Sequence, residues 1–234
     1  MDANLLLITA ATIALLHTVM GPDHYVPFIA MGKARGWSLA KTLRITFYCG
    51  LGHVLSSIVI GAIGLWFGAE LAQLEALEGS RGNMAGWSLL IFGCVYFAWG
   101  LRRAGRNTQH SHLHAHGDLV HEHHHDHHHD HAHVHTESAR NPITPWALFI
   151  IFILGPCEAL IPLFMYPAAT QSSALVLAVA VVFGVVTLLT MLVVVAAASL
   201  GMQRIKVPQL GAYSHAVAGA SVAMCGAAIS ILGL

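Results

Sequence analysis

Six long apolar stretches, at 4–31, 43–67, 85–101, 145–167, 173–200 and 209–233, leave this chain few folds to choose from. Crossing a bilayer as a helix takes about 20 such residues. Lipid offers the backbone no hydrogen bonds, so a span must be a helix or part of a closed barrel. Only 9% of the 234 residues are charged, against about 25% in a soluble domain. The expected fold is therefore an all-α membrane protein with six transmembrane helices, and the lipid bilayer is its first partner. The formal net charge is zero, so nucleic acid is not an expected partner. Met1 runs into the first apolar stretch without a basic region or an Ala-x-Ala site, so no cleaved signal peptide is expected.

Charge distribution orients the spans. The stretches after spans one, three and five hold Lys33, Arg35, Lys41, Arg44, Arg102, Arg103, Arg106, Arg140, Arg204 and Lys206, and the other side holds only Arg81. The positive-inside rule then places these loops in the cytoplasm and both termini outside, as in a bacterial-type inner membrane. Residues 68–83 carry Leu at helical spacing among Glu70, Glu75 and Glu78. They read as a short amphipathic helix on the outer surface with a solvated acidic face. Cys49, Cys94, Cys157 and Cys225 all lie in apolar segments without a Cys-x-x-Cys, so no disulfide framework is expected. Cys94 and Cys225 read as small buried hydrophobes.

Two strings interrupt the spans. Gly21-Pro22-Asp23-His24 lies in the first and Gly155-Pro156-Cys157-Glu158 in the fourth, followed by Pro27-Phe28 and by Pro162-Leu163-Phe164. Helices 1 and 4 are expected to be broken at these Gly-Pro pairs. Matching breaks three spans apart imply two three-helix repeats of inverted topology, the arrangement that builds transporter sites near the midplane. The halves are 1–101 and 144–234, joined by a disordered cytoplasmic segment at 102–143. Gly and Pro are also common in membrane helices generally.

Ionisable groups inside a membrane are costly and point to function. Here they are His17, Asp23, His24, His53, Glu158 and His215. Imidazole with carboxylate suits Ni, Co, Zn or Fe, and Cys157 could add a thiolate. On an unbroken helix His17 and His24 stand two turns apart, roughly 10 Å. One ion needs the Gly21-Pro22 break to fold them together; otherwise they mark successive points on a path. His53 belongs to a polar stripe with Cys49, Ser56 and Ser57. Gly211, His215 and Gly219 recur at four-residue spacing, mainly a packing signature.

Between spans three and four lie His110, His112, His114, His116, His121, His123, His124, His125, His127, His128, His129, His131, His133 and His135. Such a tract binds transition metals loosely. It has too few apolar residues to build a core.

On these residues the chain resembles the nickel/cobalt transporter superfamily and its compact relatives: nickel/cobalt efflux proteins, UreH-like urease-accessory membrane proteins and TauE/SafE exporters. His17 followed by Asp23-His24 is similar to the permeases' first-helix signature, with five intervening residues in place of four. Gly52-His53 with Ser56-Ser57 resembles their second helix, and 110–135 resembles the His-rich loop of the efflux branch. Gly155-Pro156-Cys157-Glu158 looks like the UreH-like branch. The same broad fold includes membrane thiol-disulfide electron carriers. These need a cysteine in each broken helix; Cys157 occupies one such position but Asp23 the other, so the redox pair is missing and a thiol-disulfide carrier is not expected.

The resemblance implies a secondary transporter of a divalent metal rather than an enzyme. Ni²⁺ or Co²⁺ is the expected cargo and loop-bound ion, with Zn²⁺ as a third candidate and no prosthetic group. Efflux is favoured, with protons as the candidate coupling ion. His17, Asp23, His24, His53, Cys157 and Glu158 are the expected transport site. The alternatives are a sulfite or organosulfonate exporter and a nickel-delivery accessory protein.

Overall fold

The computed structural model describes residues 2–68, 70–106, 112–116, 119–123, 143–169, 172–204 and 211–232. Helix α1 (Ala3–Met20) ends at Gly21; a 3₁₀ turn (Pro22–His24) follows, then α2 (Val26–Ala34). Proline at the first position of the turn has no N–H to leave unpaired. Gly36, at φ 61°, closes α2 in the left-handed conformation that glycine adopts freely. The Trp37 N–H then reaches the Gly32 carbonyl at 2.9 Å, completing a Schellman cap. Helix α3 (Leu39–Trp66) starts at Ser38, whose hydroxyl accepts the Lys41 N–H, as a helix N-cap should.

Helix α4 runs unbroken over Leu71–Arg106. This corrects the expected division into a surface helix at 68–83 and a span at 85–101. The acidic turns are the first part of one long helix. Glu78 is fully buried and Arg81 nearly so, because both turn inward onto the broken fourth span. Part of the His-rich segment pairs as two antiparallel strands, β1 (His112–His116) and β2 (Leu119–His123). Its other residues, and all of its side chains as candidate metal ligands, lie outside the described residues. The fourth span is α5 (Ile143–Leu154) and α6 (Leu160–Ala169), either side of the break. At 12 and 10 residues, neither covers the ~30 Å hydrocarbon core alone. Helices α7 (Ser173–Arg204) and α8 (Ser214–Leu232) complete the bundle.

Five described helices, α1, α3, α4, α7 and α8, are long and apolar enough to cross a membrane. Ile8, Val59, Ile91, Leu177, Val193 and Met224 all face outward, an apolar surface suited to lipid and not to water. The chain is an integral membrane protein. Helix α1 packs on α7, α3 on α7 and α5, and α4 along α8. The α4–α8 seam is built from glycines. A Cβ at Gly93 would strike the Ala223 backbone, and one at Gly226 the Leu90 backbone. Small residues are how membrane helices come this close. One core cluster gathers Ala10, Ala14, Cys157, Phe164 and Phe183; a second gathers Phe28, Met31, Cys49, Leu148 and Met191.

Candidate functional site

The first break bonds most of its N–H groups locally. Gly21 N–H donates to His17 O at 3.0 Å, His24 N–H to Gly21 O at 3.1 Å, and Tyr25 N–H to Pro22 O at 3.3 Å. This tight turn folds His24 back against His17, with ring centroids 4.8 Å apart, and places it 5.1 Å from His53 of α3. Only glycine fits at 21: a Cβ there would lie 2.5 Å from His24 Nδ1 and 2.9 Å from Asp23 Oδ1. His24 Nδ1 lies 3.1 Å from Gly21 O and 3.2 Å from Asp23 Oδ1. Both partners are acceptors, so Nδ1 carries a proton, which in the neutral ring leaves Nε2 as the donor atom for an ion. Asp23 thus orients His24.

The second break brings in the sulfur. Cys157 is fully buried, and its Sγ lies 3.0 Å from His53 Nε2. The other ring nitrogen, His53 Nδ1, faces the Phe152 carbonyl at 3.3 Å. A carbonyl only accepts, so Nδ1 bears the proton and Nε2 accepts the Cys157 S–H. The Phe152 carbonyl belongs to the last turns of α5, so the break itself selects the tautomer that can take a proton from the thiol.

This break bonds only part of its backbone locally, and side chains of α3 and α4 take the Cys157 N–H and the Ile153 and Gly155 carbonyls. The Cys157 N–H donates to Ser57 Oγ and to Glu78 Oε2, both at 3.1 Å. Ser57 Oγ also donates to Glu78 Oε2 at 3.0 Å. Arg81 forms an ion pair with Glu78 and donates to Ser57 Oγ at 3.2 Å. Its second amino group donates to Ser56 Oγ and the Ile153 carbonyl, both at 2.7 Å, and to the Gly155 carbonyl at 3.4 Å. Sequence reasoning missed Glu78 and Arg81, reading them as part of a solvated face and a flanking loop. One signal was available: a Glu and an Arg three residues apart share a helix face.

The other expected residues are placed as follows. Glu158 is exposed, with its carboxylate toward α4, where a Cβ at Gly79 would lie 3.6 Å away. No ion pair joins it to an imidazole among the described residues. His215 is remote from these groups and bonds Tyr96 Oη at 2.8 Å. Cys49 and Cys225 are buried, while Cys94 is exposed, contrary to its expected burial: it sits on the lipid-facing side of α4.

A cavity of about 750 Å³ reaches the three imidazoles, with Gly79, Gly82 and Ser230 also in its wall. Those last residues lie toward the ends of α4 and α8 that are remote from the basic loops. His53 lines the cavity and Cys157 does not. One ligand atom from each of His17, His24 and His53 lies within 4.8 Å of the others, and Nε2 of both His17 and His24 is buried without a partner. This triad could hold a transition metal ion. With metal–nitrogen bonds of about 2.0–2.1 Å, the donors would close to roughly 3.4 Å.

No curated protein and no solved structure matches this chain. The sequence model of one family, the cytochrome c biogenesis protein transmembrane region, matches residues 26–231. That match overturns the expected placement among nickel/cobalt transporters and their UreH-like and TauE/SafE relatives. The expectations of metal transport, anion export and nickel delivery rested on that placement and are withdrawn with it. The physical reason is that Gly-Pro breaks, intramembrane histidines and an aspartate serve any membrane bundle that builds a polar site on unwound backbone, whatever the site carries. Since the match spans most of its length, the chain belongs to the family of cytochrome c biogenesis protein transmembrane regions.

Proposed function

We propose that this chain takes part in thiol-based electron transfer within the membrane, with Cys157 as the redox sulfur and His53 as its proton acceptor. The observation that carries the reading is the 3.0 Å contact between Cys157 Sγ and His53 Nε2, in a chain of this family. The absent second cysteine is supplied by the reaction partners. Cys157 passes its proton to His53 Nε2, and the thiolate attacks a partner disulfide. A Cys157–partner S–S bond forms, and the other partner sulfur leaves as a thiolate. One thiolate of a dithiol reductant then attacks Cys157 Sγ, freeing the first partner's second sulfur. The reductant's remaining thiolate closes its own disulfide and releases Cys157. Two electrons and two protons pass from dithiol to disulfide, and the chain is unchanged. It is a carrier rather than an enzyme with a product of its own.

The bundle is read as two inverted three-helix repeats. In support, the broken first span packs on α7 as the broken fourth packs on α3, and α4 pairs with α8. The orientation has both termini outside, in a bacterial-type inner membrane, with the His-rich segment cytoplasmic. Arg81, the one cation counted against this, is committed to the bundle interior. The cavity then opens away from the basic loops, toward the outer face, and ends on His53, one side chain short of Cys157, so a disulfide partner reaches the sulfur only as that side chain moves.

The triad of His17, His24 and His53 is read as a site that a borderline ion such as Zn²⁺, Ni²⁺ or Co²⁺ occupies only when the thiol gives up His53 Nε2, since imidazole donors suit these ions. The histidines at 110–135 would gather the same ions on the cytoplasmic side. The test of the main reading is reconstitution in liposomes, with a dithiol on one face and a disulfide reporter on the other. Wild type should reduce the reporter and Cys157→Ser should not; full activity in Cys157→Ser would sink the proposal.

A further inference from the structure

Among the described residues, the first break has only its own His24–Asp23 contact and no ion pair reaching it from another helix, as Glu78–Arg81 reaches the second. At the first, the Gly21, His24 and Tyr25 N–H groups bond carbonyls of the turn or of the helix just before it. At the second, four side chains from α3 and α4 bond the open backbone: His53, Ser57, Glu78 and Arg81. A buried ion pair is a poor choice for stability alone, since well-packed apolar residues do as well or better in its place. What an ion pair adds is directed hydrogen bonds at fixed positions. The planar guanidinium suits this task, because it presents several donors in one rigid fork.

We propose that Glu78 and Arg81 are positioning residues for Cys157, holding the open backbone of the second break so that the thiol stays on His53 Nε2. Arg81 gathers the Ile153 and Gly155 carbonyls on the α5 side of the break. Glu78 and Ser57 take the Cys157 N–H on the α6 side. Arg81 also bonds Ser56, whose hydroxyl donates to the His53 carbonyl at 2.8 Å. One guanidinium therefore ties the turn carrying the imidazole to the turn carrying the sulfur. Gly82 lets α4 lie this close, since a Cβ there would sit 2.8 Å from the Pro156 ring. The thiol's place is set by contacts to the main chain on both sides of it, and neither residue touches Sγ.

The inference rests on the thiol reading of this site, but its test does not need electron transfer. In full-length protein carrying serine at Cys49, Cys94 and Cys225, the infrared S–H stretch reports only Cys157. A hydrogen-bonded S–H absorbs at a different position from a free one, and His53→Ala supplies the free reference. In Glu78→Gln, which keeps the shape of the side chain, and in Arg81→Lys, which keeps the charge but not the fork, the band should move to that reference. Melting temperature is followed in the same samples. A band that stays at the wild-type position while the melting temperature falls would show that the pair only stabilises the bundle, and would overturn the proposal. If Arg81→Lys does not fold, Glu78→Gln decides in the same way. A shifted band together with undiminished electron transfer in Cys157→Ser would leave the positioning role standing and remove the thiol function.

Discussion

Cys157 Sγ and His53 Nε2 stand 3.0 Å apart although 104 residues separate them in the chain. The contact joins an unwound stretch of the fourth span to the middle of the second. It turns a buried thiol, otherwise inert, into one with a base within reach. Because His53 Nδ1 is held by the Phe152 carbonyl, the base arrives in the right tautomer without help from a carboxylate.

Removing the base should slow thiol exchange more than it disturbs the fold. In a protein whose other cysteines are serine, His53→Ala should lower the rate at which Cys157 reduces a small disulfide at neutral pH by about 10²-fold, the low end of the usual contribution of a positioned base. The check is stopped-flow exchange with an aromatic disulfide. An unchanged rate means that the imidazole only fills space.

Metal and thiol should compete for His53. The S–H bond already uses Nε2, the one nitrogen of that ring left to bind an ion. Loading the triad should therefore change the chemistry of Cys157. Titration with Zn²⁺, Ni²⁺ or Co²⁺ should reach one tight ion per chain after deletion of 110–135, and should suppress alkylation of Cys157. At about 100 times the dissociation constant, the ion should add about 2.7 kcal/mol to stability. Alkylation that continues at the same rate in saturating metal would count against a shared nitrogen.

Asp23 should matter through His24. Its Oδ1 lies 3.2 Å from His24 Nδ1, which fixes that ring with Nε2 toward the cavity. Loss of such an orienting carboxylate usually weakens metal binding by about 10- to 100-fold. Asp23→Asn should fall in that range by calorimetry, and His24→Ala should fall below it. The S–H stretch of Cys157 should stay put in both, because neither residue bonds the sulfur.

The glycine seam between α4 and α8 should be intolerant of side chains. Gly93→Leu would drive a branched group into the Ala223 backbone, and overpacking of this kind costs about 1–3 kcal/mol or more. Gly201→Leu, in α7, is the control, because a Cβ there meets nothing within 4 Å. A melting temperature lowered in the first and retained in the second is the expected pair of results.

Part of this site could be read directly from the residues. Gly21-Pro22 and Gly155-Pro156 announce the breaks, since neither residue supports a continuous helix. His17, Asp23, His24, His53 and Cys157 stand out because polar groups in apolar segments are rare. Glu78 and Arg81 did not stand out. They lie in a stretch whose polarity is ordinary for a surface helix, and only the unbroken course of α4 turns them inward. The glycines at 86, 93 and 100 are legible as a seven-residue repeat, but their partner helix is not.

Sequence by itself determined that this chain lives in a membrane, roughly where its apolar spans are and where two of them break. Those features follow from local chemistry: apolar length, missing N–H groups and the cost of burying charge. Tertiary structure alone decided that His17, His24 and His53 converge, that Cys157 sits on His53, and that an ion pair braces one break and not the other. These depend on which helix faces meet across many residues of chain. Lipid-facing and core-facing positions here are equally apolar, so the residues carry no pattern that tells one face from the other.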